Sequence, residues 1–158
     1  MTDNYIGIMI ESLRRKKDVL TDILKLSEEQ SLLLDDPNLE PDTFEKNVNR
    51  KAALIEKLEQ LDTGFESLYD KVKEELESNR DIHKEQIRQM QELIRALTEL
   101  NMQIQATEAR NKEKATAKFA YIRQQAKEIR SSQKIVKEYY NNMMHKACNE
   151  PHFLDNKK

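Results

Sequence analysis

An all-α fold is predicted by three features of the sequence. Apolar residues recur at steps of three and four along most of the chain, the repeat of a one-sided helix. Only two Gly and three Pro punctuate 158 residues, too few for a sheet with many turns. Charged residues reach 35% and aromatics 6%, with no Trp, the profile of long solvated helices. A hydrophobic fraction of 37% suits a thin core. The expected architecture is therefore an elongated antiparallel helical hairpin or three-helix coiled-coil bundle with a long C-terminal helix, a single domain over residues 1–149 and a flexible tail over 150–158.

The first helix is predicted over residues 5–34, with a stripe of Ile6, Met9, Ile10, Leu13, Leu20, Ile23 and Leu24, then Leu32 to Leu34. Arg14, Arg15, Lys16 and Lys17 interrupt it, and their long stems can cover the edge of a seam while the charges stay wet. Pro37 and Pro41 end this helix and position the next. Asp42 with Glu45 three residues on has the spacing of a capping box.

The second helix is predicted over residues 43–77 through Phe44, Val48, Ala52, Ile55, Leu58, Phe65, Leu68, Tyr69, Val72 and Leu76. Asp62 breaks its seam, and Gly64 weakens it by about 1 kcal/mol relative to Ala. A polar turn at Ser78–Asp81 leads to a third helix over 81–147 carrying Ile87, Met90, Ile94, Leu97, Leu100 and Ile104. A polar interval follows, with Thr107, Glu108, Asn111, Lys112 and Glu113, where the helix either continues or bends. The stripe resumes at Ala115, Phe119, Ile122, Ala126, Ile129, Val136, Tyr140 and Met143, flanked by Tyr139. No Pro or Gly lies between Asp81 and Glu150, so one continuous helix would be about 100 Å long. The shared hairpin core is expected at Phe44, Val48, Ile55, Leu58, Phe65, Leu68, Val72, Ile87, Ile94 and Leu97.

Short connections make successive helices antiparallel. The third helix then draws level with the start of the second near Lys114 to Lys118, and a straight continuation projects past both companions. Its apolar stripe needs a cover: a fourth helix after a bend, a second copy of the chain, or a partner protein. Filling the stripe would bury roughly 400–600 Å² of apolar surface, about 10–15 kcal/mol before the costs of association. Phe119, Ile122, Ala126, Ile129, Val136, Tyr139, Tyr140 and Met143 are the candidate partner-binding residues, since aromatic and Met side chains give large, adaptable contact area.

Other functions find no support. The net charge is −2, and the basic residues of the last stripe are interleaved with Gln, Ser and Glu, so no nucleic-acid patch is condensed. No apolar run reaches the roughly 20 residues of a membrane span. No secretory h-region opens the chain, and the single Cys148 fits a reducing, cytoplasmic setting. His145, Cys148 and His152 lie close together, but a zinc site wants a fourth ligand and an ordered frame, with Asp155 alone nearby. Gly7 and Gly64 stand apart, so no loop cradles phosphate, and the carboxylates alternate with Lys and Arg as on solvated helix faces. Neither an enzyme nor a cofactor is expected.

Four stretches resemble a known family. Lys51–Asp62 (KAALIEKLEQLD) resembles the second-helix segment of flagellar export chaperones of the FlgN type. Leu24–Gln30 (LKLSEEQ) resembles the end of their first helix, Leu97–Asn101 (LTELN) a stretch of their long third helix, and Lys137–Tyr140 (KEYY) the Tyr near the end of their C-terminal amphipathic helix. The resemblance implies a cytosolic helical chaperone of flagellum biogenesis that holds hook–filament junction proteins before type III secretion. It implies that the C-terminal amphipathic helix takes up a helical segment of the client. Export-apparatus components and a second copy of the chain are further candidate partners. The alternative is a structural coiled-coil or spectrin-like spacer, or a regulatory protein-binding module.

Overall fold

The computed structural model describes residues 2–128 and 141–143. Three long helices account for most of them: α1 (Thr2–Asp35), α2 (Pro41–Ser78) and α3 (Lys84–Glu128). No strand occurs among the described residues. The all-α bundle predicted from the apolar spacing is the observed fold.

The connections follow local chemistry. Leu33 O and Asp36 O accept bonds from Asp36 N and Leu39 N at 3.1 and 3.3 Å, and Asp36 Oδ1 accepts from Asn38 N at 2.8 Å. α2 begins at Pro41, where a missing N–H is harmless in the first turn, and Phe44 N donates to Glu40 O at 3.3 Å. Glu40 therefore stands at the cap position, and the expected box on Asp42 and Glu45 is displaced by one turn-start proline. Between α2 and α3, Asn79 O accepts from Ile82 N and His83 N, which delays the third helix to Lys84.

The chain divides into two compact units, each built from parts of all three helices. The first comprises Met1–Ile23 and Leu54–Met102. In it, α1 and α2 run antiparallel: Lys16 Nζ meets Asp62 Oδ1 at 2.6 Å, and Lys71 Nζ sits 5.4 Å from the Tyr5 ring centre. The two charges that broke the seams in the sequence thus face each other. Arg14 and Arg15 stay exposed beside Glu11, as long basic stems on a seam edge should. The core of this unit is Ile6, Met9, Ile10, Leu13, Val19, Leu20, Ile23, Ile55, Leu58, Val72, Leu76, Met90 and Leu97. Buried His83 closes one end, its ring nitrogens 3.7 and 3.4 Å from carboxylate oxygens of Asp3 and Glu75.

Several expected core positions differ. Phe44, Val48, Ile55, Leu58, Val72 and Leu97 are buried, whereas Phe65, Leu68 and Ile87 are half-buried. Ile94 is 47% exposed, which corrects the expected register of α3. Met90, Leu93, Leu97, Leu100 and Ile104 are buried or half-buried at alternating steps of three and four, the spacing of a seven-residue repeat, with Ala96 half-buried beside them. Leu93 takes the inner place because steps of three and four from Met90 both point inward, and the sustained seam selects between them. On α1, Leu32 is 72% exposed and Leu24 half-buried, while Val19 and Leu26 enter the core.

The second unit comprises Leu24–Ala53 and Gln103–Lys158. Here α3 runs alongside the end of α1: Lys114 Nζ donates to Ser31 Oγ at 2.7 Å and to Asp35 Oδ2 at 2.9 Å. Lys118 Nζ donates to Leu34 O at 3.4 Å and Asp36 O at 2.6 Å. The last turn of α1 carries no basic residue of its own, so two α3 lysines supply the positive charge its open carbonyls need. The expected levelling of α3 at Lys114 to Lys118 is what places them there.

Candidate functional site

The second unit holds two distinct layers. One is polar. Ser27 and Gln30 from α1, Asn47 and Lys51 from α2, and Thr107, Glu108 and Asn111 from α3 are all buried. Glu108 Oε1 accepts from Lys51 Nζ and from Ser27 Oγ, each at 2.5 Å. Gln30 Oε1 accepts from Lys51 Nζ at 3.2 Å and Asn111 Nδ2 at 3.1 Å. Asn47 and Asn111 also donate to backbone carbonyls of α1, Leu26 O at 2.9 Å and Ser27 O at 2.8 Å. Burial pushes the Lys51 ammonium down to about 8, against the opposing pull of Glu108.

By apolar spacing Ala52 belongs to the seam and Thr107 to Glu113 to a polar interval. The structure keeps that stretch helical, with Thr107, Glu108 and Asn111 turned inward. The overlooked signal was positional. Lys51 stands seven residues before Leu58, and Asn111 seven after Ile104, each at a core place of its repeat. A pattern that counts only apolar residues skips such positions.

The other layer is apolar and includes the candidate partner-binding face. Leu34, Leu39, Phe44, Val48, Ala115, Phe119 and Met143 form one buried cluster, with Leu33 and Ile122 partly buried against it. Phe119 is 2% exposed and Met143 is 1% exposed, so neither lies open to a partner. Ile122 and Ala126 are half-buried, and Tyr121 beside them is 63% exposed. Ile129, Val136, Tyr139 and Tyr140 lie outside the described residues.

By sequence alone the helix predicted over 81–147 either runs straight or bends. A straight helix would carry Met143 about 36 Å beyond Phe119 at 1.5 Å per residue. Both residues instead belong to the same buried cluster. Apolar contact with the α1–α2 connection, available only in the folded unit, buries Met143 there.

The first unit offers a second apolar feature, a groove of about 470 Å³ lined by Met9, Phe65, Tyr69, Ile87, Met90 and Ile94 among others. Exposed Ile94 and Tyr69 are accounted for as its walls. Among the described residues no group of three or more His, Cys, Asp or Glu could hold a metal ion, and His145, Cys148 and His152 lie outside them. No helix among the described residues is long and apolar enough to cross a membrane.

No curated protein and no solved structure matches the chain. A family model described as FlgN protein matches residues 1–143, a span that includes both units' described helices and the segment ending at Met143. With an all-α bundle of long helices beneath that match, the chain belongs to the FlgN family of flagellar export chaperones.

Proposed function

We propose that this chaperone holds a helical segment of a flagellar hook–filament junction protein on the apolar face formed by Phe119, Ile122, Ala126, Ile129, Val136, Tyr139 and Tyr140, while the eighth candidate, Met143, is buried with Phe119 in the free chain. The observation that carries the reading is the incomplete cover of α3 near its described end. The helix continues from Lys118, which caps α1, to Glu128, and Ile122 and Ala126 on that extension are only half-buried. A partner helix laid on this face would read it through anchors spaced by three and four. The setting for such a task is the cytoplasm, with export-apparatus components as downstream partners.

The double substitution Ile122→Asp with Ile129→Asp is expected to abolish binding of the junction protein. Helicity and the melting of the bundle should stay nearly unchanged. A pull-down with purified junction proteins, paired with a thermal melt, checks both. Retained binding would place the site elsewhere, and loss of global folding would make the stripe ordinary core. A spacer without clients would instead form a stable oligomer and bind no junction protein at all.

A further inference from the structure

The floor and rim of the face assigned to the client are already in use. Phe119 and Ile122 pack with Leu34, Leu39, Phe44 and Val48, and Met143 from the same chain joins that cluster at 1% exposure. The flanking Asn141 and Asn142 are exposed, so in this short stretch a single side chain makes the buried contact. The walls of the seat have supports of their own. Lys114 bonds Ser31 and Asp35, and Lys118 bonds the carbonyls of Leu34 and Asp36, tying α3 to the end of α1 without any help from Met143. Phe44 and Val48 are held on the first turns of α2.

We propose that this is an exchangeable seat: Met143 plugs it in the free chain, and a bulky aliphatic side chain of the client's amphipathic helix takes it over. The inference rests on the reading that Phe119 and Ile122 face the client. Two side chains cannot occupy one close-packed place. Any client anchor that reaches Phe119 therefore has to displace Met143. An unbranched thioether suits a temporary occupant, because it fills an irregular gap adaptably. The plug lowers the apparent client affinity in proportion to the time it stays seated. A seat open one-tenth of the time weakens binding about tenfold relative to a seat always open.

The test uses the full chain carrying Met143→Asp, Met143→Ala or Met143→Leu. The probes are 1-anilinonaphthalene-8-sulfonate fluorescence without client and calorimetric titration with the purified junction protein. Met143→Asp and Met143→Ala should raise the dye fluorescence several-fold and tighten client binding about tenfold. Met143→Leu should match the unsubstituted chain in both. Weaker client binding by Met143→Asp at an unchanged melting temperature would make Met143 a client anchor and overturn the plug. Unchanged fluorescence and affinity would overturn it too, as would loss of the melting transition in both Met143→Asp and Met143→Ala. If the unsubstituted chain binds no junction protein, the client reading itself fails, and the dye response alone then decides whether Met143 covers the seat.

Discussion

The two units solve the same packing problem with different chemistry. In the first, His83 is the one buried polar side chain among the described residues, and the interior is otherwise aliphatic with Met. In the second, seven polar side chains among the described residues are buried beside the apolar cluster. An aliphatic core draws its stability from area removed from water and accepts neighbouring registers almost equally well. The polar layer draws little net stability, since desolvation of Lys51 and Glu108 offsets most of their attraction. It is selective instead. Lys51, Glu108, Ser27, Gln30 and the amide nitrogen of Asn111 find their partners together only when all three helices stand at one height, with Asn111 Oδ1 left unpaired. We read the second unit as the place where alignment of the three helices is specified, a role best attested for polar core residues in coiled coils.

The largest test of that contrast is Glu108→Ala, which leaves Lys51 buried without its carboxylate. It should destabilise the fold by about 3–5 kcal/mol. Replacing both partners, Lys51→Met with Glu108→Leu, should be neutral or stabilising by about 1–4 kcal/mol. Denaturant titrations of the parent and the two variants decide it. If the double variant were as damaged as the single one, the layer would be a source of stability rather than of alignment.

The first unit should answer in aliphatic terms. Leu58→Ala should lower stability by about 2–5 kcal/mol, the range for a large-to-small change in a core. Ile94→Ala, on an exposed wall, should stay within about 0.5 kcal/mol of the parent. Equal losses at both positions would put Ile94 back in the seam and refute the seven-residue repeat of α3.

Lys51 also predicts a pH signature. Its folded value of about 8 lies below the ordinary 10.5, so the unfolded chain binds the extra proton between those two values. Stability contributed by this group therefore rises with pH through that window, and is absent below pH 8 and complete above 10.5. The difference in unfolding free energy between the parent and Lys51→Met should shift by about 3 kcal/mol in the parent's favour. Denaturation at both ends of the window measures it, and a flat difference would mean that Lys51 is solvated.

The smallest effect concerns Gly64, inside α2 with no atom near the place a Cβ would occupy. Gly64→Ala should raise stability by about 0.5–1 kcal/mol by restricting the unfolded chain. A loss of stability on thermal melting would show crowding or backbone strain there.

Much of this molecule was determined locally. Runs spaced by three and four, Pro37 and Pro41, and a chain almost free of Gly were enough for three long helices and the approximate ends of the first two. Helix formation depends on each residue's own backbone and on neighbours one turn away, and both are written in the chain. The level of Lys114 and Lys118 beside the α1 terminus also followed, because helix length is a fixed rise per residue. What tertiary structure alone decided were the choices between near-equal local options. Leu93 and Ile94 are both apolar and both one turn from Met90, and only the companion helices distinguish them. Lys51 and Glu108 look like solvated charges until a third helix brings them to 2.5 Å of one another. Met143 belongs by period to a straight extension of α3, yet it joins Phe119 because the α1–α2 connection offers an apolar place that no neighbour in sequence supplies. Contacts between residues distant in the chain have no period, and so they appear only when the helices are laid side by side.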